Sequence, residues 1–450
     1  MSNEIIRNGV TEKLATWLCG HRYEQIPAAV RARTVEVIFD SVGAMTACST
    51  LPEVKAIVEL MNAQGSSGDC TVIGNPGSTS VINAAMCNGG MAHGNEVDPV
   101  HATSVGGHVA AGPVPSALAI GESIKASGQD VVRAVALGYE VGGRLMTIFY
   151  RERDYTKRRF YHTAVAANIT SAVSAGLLLG LDAQAMQVAL CLATYQAAGP
   201  DNMTKDPVHM GKTFQVAAAN RNGVTAALLA HKGCYAPTDI LDGTHGLFDA
   251  YLNNPEAGPE MLERLGDYYA ITDVMHKRYS AGTPNQTYLA ALFRLLKGVK
   301  PEEIAEIEIH MPTRGVKRVP TTRHASISAV KVSAIAAATG KLDFYQLHGP
   351  QAALESAVAS MQDRIKFVGR DDWAGMEHGR HAIVIVRTCD GRTLQEDTWF
   401  EPMSRDELKT KFNELVGPQF GAARTAQLEK SWLEIETAPS INALMQQLRA

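Results

Sequence analysis

The chain has 450 residues, with 42 Lys plus Arg against 46 Asp plus Glu and a net charge of -4, so no basic excess argues for nucleic acid or an anionic membrane as partner. Apolar residues make up 46%, enough for two or so sizeable cores, and no uncharged apolar run reaches the ~18 residues of a membrane span. The N-terminus carries an early acid and no apolar signal core, and the seven cysteines form no CxxC pair, so the expectation is a cytoplasmic protein without a disulfide framework or thiolate metal site.

Residues 1–268 read as helical. Val35, Ile38, Phe39, Val42 and Met45 recur at helix spacing, as do Val54, Ile57, Val58 and Met61. The next stretch, AHGNEVDPVHATSVGGH at 92–108, breaks the pattern: Pro99 and the pair Gly106-Gly107 exclude a continuous helix, and a loop between two helices is expected. Glu96 and Asp98 bracket Val97, so an extended or kinked backbone lets both carboxylates project to one side, with His101 and His108 nearby. Such a setting pushes carboxylate and imidazole pKa values toward neutrality, where proton transfer is efficient. A polar surface loop is the alternative.

Further along, Arg151, Arg153, Lys157, Arg158 and Arg159 form a basic cluster that leads through His162 into an apolar helix, a natural carboxylate or phosphate site or else a solvated face. The runs 164–181, 185–198 and 216–230 are apolar nearly all round, as in helices buried inside a bundle. Lys205–Asn222 places His209 and Lys212 just before the last of these. Lys277–Gln286 is a cation pair followed by a turn and a helix.

From about residue 270 the character changes. Ile307, Ile309 and Met311 alternate with Glu306, Glu308 and His310, the period of a strand with one wet face. A helical run follows near 328–339, another element over Asp343–Leu347, and then 381–388 and 393–400 as a hairpin turning on Asp390-Gly391. After Pro402, Ser404 and Glu407 stand in capping-box spacing before amphipathic helices. The expected architecture is mostly α with a smaller α+β part: a helical domain over 1–268, an inserted α+β lid over 269–401, and a helical return over 402–450.

Several segments together resemble one family. NGGMAHGNEVDPVH, GGHVAAGPVPSALAIGE, GYEVGGRL at 138–145, RFYHTAV, NRNGVTAALLA at 220–230 and CDGRTL, in order over nearly the whole chain, are similar to MmgE/PrpD proteins, which include 2-methylcitrate dehydratase, cis-aconitate decarboxylase and iminodisuccinate epimerase. The resemblance implies a helical domain interrupted by a lid, a homodimer, and acid–base chemistry beside a carboxylate with neither metal nor cofactor. It places the family's histidine before the next helix on His108, once two residues are inserted, and the following one on His162. Counting back from Arg221 puts the active-site lysine on Lys212, ahead of Lys205. Gln286 falls where the decarboxylase has a second-domain histidine, and Lys331 where it has a tyrosine. Glu96-Val97-Asp98-Pro99-Val100 stands in place of Asp-Phe-Asp-Asp-Thr, so the substrate of any one relative does not carry over.

On this basis the expected function is a lyase on a small di- or tricarboxylate, of hydro-lyase type, with a decarboxylase or epimerase as alternatives and a carboxylate-binding protein without turnover as the remote one. The expected catalytic residues are Glu96, Asp98, His108, His162 and Lys212, with His108 or Asp98 as base and His162 as acid; His101, Lys277, Arg278, Gln286 and Lys331 are expected to bind substrate. His93, Glu96, Asp98, His101 and His108 are ligand types, but their spacing matches no compact zinc pattern, so no metal is expected.

Overall fold

The computed structural model describes residues 9–65, 67–104, 106–151, 160–206, 208–316, 324–373 and 380–450. Its first part consists of α1 (Val10–Gly20), α2 (Ala28–Cys48), α3 (Pro52–Ala63), α4 (Val81–Ala92), α5 (Pro113–Ile124), α6 (Gly128–Arg151), α7 (His162–Leu178), α8 (Ala183–Tyr195), α9 (Met210–His231) and α10 (Leu247–Leu252). The small pairs β1 (Cys70–Thr71) with β2 (Ser78–Thr79), and β3 (Val100–His101) with β4 (Val274–Met275), interrupt them.

Small residues set how closely these helices approach. A Cβ on Gly89 of α4 would lie 2.6 Å from Asn220 of α9, so glycine is what allows the two helices to touch there. Asn220 uses that contact, donating to the Ala111 carbonyl at 2.9 Å and accepting from Ser171 of α7 at 3.0 Å. The NRNG segment therefore ties α7, α9 and the chain entering α5 together through one buried amide.

The second part has its own apolar core. Strands β5 (Ile304–Pro312), β6 (Ile365–Arg370), β7 (His381–Thr388) and β8 (Thr393–Trp399) form a sheet in the order β6-β5-β7-β8, with β5 parallel to β6 and antiparallel to β7. Ile307, Ile309, Val384 and Val386 pack with residues of α11 (Gln286–Leu295), α13 (Ala329–Thr339) and α15 (Gln351–Met361). Two short helices, α12 (Thr313–Val316) and α14 (Phe344–Leu347), connect these elements. The opposite face is wet as its alternation requires, with Arg387 bridging Glu306 at 2.6 Å and Glu308 at 3.2 Å. The hairpin turns through Gly391 at φ +87°, a conformation that favours glycine. The helix α15 and strand β6 were not foreseen, because 351–361 is too weakly amphipathic and 365–370 too polar to stand out.

The tail returns to the helical part. In α16 (Arg405–Leu433), capped reciprocally by Ser404 and Glu407, Phe412 stacks on Phe39 of α2 with ring centroids 4.1 Å apart. Trp432 and, in α17 (Asn442–Gln446), Met445 join the same core as α1 to α9. The molecule is thus mostly α with a smaller α+β part. Among the described residues no helix is long and apolar enough to cross a membrane. Five cysteines are buried or half-buried, whereas Cys234 and Cys389 are exposed.

Candidate active site

The chain leaves α4 at His93, and the loop to α5 runs inward instead of over the surface. Glu96, Asp98 and His93 are all buried. What brings distant residues to them is the two-residue pairing of β3 with β4: Val100 faces Met275 and His101 faces Val274. The residues after β4 then lie beside the loop and point opposite ways. His276 turns to Asp40 of α2, Nδ1 to Oδ2 at 2.7 Å, and Lys277 turns to Glu96, Nζ to Oε2 at 2.7 Å.

Four charges and two imidazoles share this space. Lys212, in the first turn of α9, donates to the other oxygen of Glu96, and Lys277 also lies 3.5 Å from Asp98 Oδ1. Asp98 Oδ2 accepts from His93 Nδ1 at 3.0 Å and from His108 Nδ1 at 2.7 Å, and the two rings are 4.0 Å apart. His93 Nε2 meets the Tyr161 hydroxyl. A carboxylate holding the Nδ1 side of an imidazole fixes its orientation and leaves Nε2 to do chemistry. His108 has the most exposed side chain of the network, at 11% against 0% for His93.

The electrostatics follow from burial and pairing. Burial alone would raise the carboxyls of Glu96 and Asp98, but Lys212 and Lys277 around Glu96, and His108 and Lys277 around Asp98, outweigh it and hold both well below the usual range. Lys277 is held above its ordinary value because the two carboxylates overcome its desolvation. His108 lies below the usual histidine range and His93 well below it, burial first and the neighbouring cations second, against the pull of Asp98. At neutral pH Glu96 and Asp98 are therefore carboxylates, Lys277 is an ammonium group, and His93 and His108 are neutral imidazoles.

Of the residues singled out in the sequence, the structure brings together Glu96, Asp98, His108, Lys212 and Lys277. The others are engaged elsewhere. His101 binds Ser104 Oγ through Nδ1 at 3.0 Å and packs edge-on to Tyr139. Arg278 pairs with Glu407 of α16. Gln286 spends its side chain on backbone, accepting from Arg278 and Tyr279 and donating to Tyr279 and Ala281. His162 begins α7, and its neighbour Tyr161 is the one bonded to His93. Lys331 lies on α13 and acts electrostatically on His324. Lys205 is exposed. Of the basic cluster, Arg151 pairs with Glu260 at 2.5 Å, while Arg153, Lys157, Arg158 and Arg159 lie outside the described residues.

Sequence reasoning gave no role to Tyr161, Asp40, His276 or Lys411. Lys411 of α16 donates to the Val97 carbonyl at 2.8 Å and pairs with Asp40 at 2.6 Å, bracing the loop from below. None of these four carries a local motif; Tyr161 adjoins His162 and His276 adjoins Lys277, both already singled out in the sequence.

His93, Asp98 and His108 also present ligand atoms within 4.8 Å of one another, close enough to receive a metal ion. Asp98 Oδ2 is already shared by both rings, however, and two ammonium groups flank the carboxylates. A divalent cation there would face their repulsion, so the donor set fits a proton network better than a metal centre.

The buried cluster thus draws its acids, imidazoles and ammonium groups from the loop after α4, the start of α9 and the residues after β4. The chain belongs to the MmgE/PrpD family: residues 12–260 match its N-terminal domain and residues 279–434 its C-terminal domain. It is 24% identical to the cis-aconitate decarboxylase-like protein oryM of Aspergillus oryzae over 470 aligned positions, covering 97% of this chain and 96% of that protein. It is 27% identical to the cis-aconitate decarboxylase of Aspergillus terreus, over 61% of this chain and 57% of that one, and 28% identical to the human cis-aconitate decarboxylase, over 69% and 63%. Relatives of this kind support an enzyme of lyase type.

Proposed function

We propose that the protein is a lyase acting on a small di- or tricarboxylate by acid–base chemistry beside a carboxylate, with no metal or cofactor. The observation that carries this reading is the shared oxygen of Asp98, which orients His93 and His108 while Lys212 and Lys277 stand beside it. His108 begins neutral with its Nδ1–H directed to Asp98, so Nε2 can take the proton on the carbon next to a substrate carboxylate. The electron pair left on that carbon spreads into the carboxylate as an enolate, which Lys212 or Lys277 stabilises. Loss of hydroxide with a proton from the Tyr161–His93 side completes a dehydration. Delivery of a proton from the Tyr161–His93 side to the opposite face of that carbon, with the first proton left on His108, instead inverts the centre.

The names of the relatives favour a second reading, decarboxylation. There the bond to the departing carboxylate breaks, carbon dioxide leaves, and the electron pair on carbon takes a proton from His108, charged on substrate binding and steadied by Asp98. The same groups serve both reactions, and the substrate decides which bond breaks.

The deciding experiment is a proton NMR time course in deuterated water with citrate, 2-methylcitrate, cis-aconitate and iminodisuccinate offered separately. A new alkene signal from a hydroxy acid supports the hydro-lyase, conversion of cis-aconitate to a decarboxylated product the decarboxylase, and deuterium uptake with inversion the epimerase. Binding of a carboxylate with neither turnover nor exchange would overturn the enzyme in favour of a binding protein. A homodimer and a cytoplasmic location belong to the same proposal. Exposed apolar groups on α8 and α9, Tyr195, Phe214 and Leu229, offer a face for a second copy, which light scattering tests.

A further inference from the structure

Near the acid–base cluster stands a second group of imidazoles that the mechanism above does not use. His209 caps the N-terminus of α9, three residues before Lys212, in the left-handed region at φ 62°. Asp206 braces that conformation, accepting from Val208 N at 2.9 Å and Gly211 N at 2.6 Å. The His209 side chain is 3% exposed, and neither ring nitrogen has a hydrogen-bond partner among the described residues. Buried polar groups are nearly always bonded, and residues held in a rare backbone conformation cluster at ligand sites. Two unsatisfied nitrogens on one braced ring point to a ligand.

The facing group comes from the other core. His324, just before α13, lies 4.8 Å from His209 between ring centroids, with Nδ1 bound to Ser326 Oγ at 2.8 Å. His348 stacks behind it at 5.3 Å. The charges of Lys212 and Glu96 act on both His209 and His324, which places the pair on the border of the cluster, and Lys331 acts on His324 from the far side. Burial, first, and these cations hold His209 well below the usual histidine range and His324 at about 4, so both rings are neutral N–H donors. Neutral donors between two lysines suit a carboxylate's two oxygens.

We propose that His209 and His324 form a distal subsite that takes the second carboxylate of the substrate, so that the enzyme selects molecules with two or more carboxylates. The inference rests on the lyase reading and deepens it. The helical core supplies one half of the subsite and the α+β core the other, so a ligand seated there spans both parts of the molecule.

The test is calorimetric titration of the full-length protein with tricarballylate, an unreactive tricarboxylate, and with butyrate. His209→Asn keeps a residue that tolerates the left-handed backbone, and His324→Gln removes the partner ring on the other core. Each is expected to weaken tricarballylate binding tenfold or more while leaving butyrate unchanged, and the double variant to lose less than the product of the two, as for groups sharing one ligand. Unchanged tricarballylate affinity in the variants overturns the subsite and leaves the lyase reading intact. Equal losses for tricarballylate and butyrate overturn it too, since they mark a purely structural role. A wild-type protein that binds no tricarboxylate overturns both. Should His209→Asn fail to fold, His324→Gln decides the question alone.

Discussion

Lys411 donates to the backbone carbonyl of Val97 at 2.8 Å, although the two residues are 314 apart in the chain. Val97 sits between the two carboxylates of the cluster, so the returning tail helix holds the loop by its backbone and leaves both acids to the lysines and histidines around them. The same ammonium pairs with Asp40, which burial would raise but which Lys411 and His276 hold below its usual range.

Removing that lysine strands a buried carboxylate. Lys411→Met is expected to cost about 3–5 kcal/mol of unfolding free energy, the usual toll of breaking a buried pair from one side. Lys411→Met with Asp40→Asn should recover part of it. Urea denaturation of the two variants checks this, and a loss under ~1 kcal/mol in the single variant would show that the pair does not brace the loop.

Truncation inside the cluster should instead spare the fold and remove turnover. His108→Ala is expected to lower kcat roughly 10²- to 10⁴-fold, the usual worth of a positioned acid or base. Tyr161→Phe, which deletes one hydrogen bond to His93, should lower it about tenfold. Steady-state kinetics on the substrate found by NMR, with circular dichroism of each variant, provide the measurement. Full activity in His108→Ala would exclude that ring as the proton carrier.

Gln286 separates a structural role from a binding one. Its amide is consumed by the backbone of residues 278–281, directly after Lys277. Gln286→Ala should cost about 1–3 kcal/mol by leaving buried backbone groups unpaired. A rise in KM with unchanged stability would return it to the substrate.

Stability should fall as the solution is acidified below neutrality. His93, His108 and His209 are depressed by burial first, and His101 and His324 likewise sit at about 4, whereas unfolded histidines titrate near 6.5. Between those values the unfolded chain binds more protons than the folded one, so unfolding is favoured as pH drops from about 6.5 toward 4. Glu96 and Asp98, depressed as well, add their loss only below the unfolded carboxyl values near 4. Urea midpoints measured from pH 7.5 to 4.5 should decline steadily; a flat profile would contradict the buried neutral imidazoles.

Chelation is expected to leave activity intact. The Nδ1 atoms of His93 and His108 are committed to Asp98, and Lys212 and Lys277 already stand where a metal's charge would act on the carboxylates. Activity abolished by EDTA and restored by one divalent ion would instead make His93, Asp98 and His108 its ligands.

Much of this molecule was legible along the chain because local chemistry wrote it there. The alternation Ile307, Ile309, Met311 against Glu306, Glu308, His310 specifies a strand with one wet face, Asp390-Gly391 the hairpin of the two later strands, and Ser404 with Glu407 a helix start, since each depends only on neighbours in sequence. Glu96, Asp98 and His108 were likewise readable, being polar groups crowded into an otherwise small and apolar loop. Tertiary structure alone decided the rest. Whether Lys277 or Arg278 turns inward depends on the register of β3 with β4; whether His162 or Tyr161 meets His93 depends on how α7 begins; and Lys411, His209 and His324 acquire meaning only once a tail helix and a second core are laid against the loop. Burial and ion pairing are properties of surfaces brought together in space, and no spacing along one chain encodes which charges will share them.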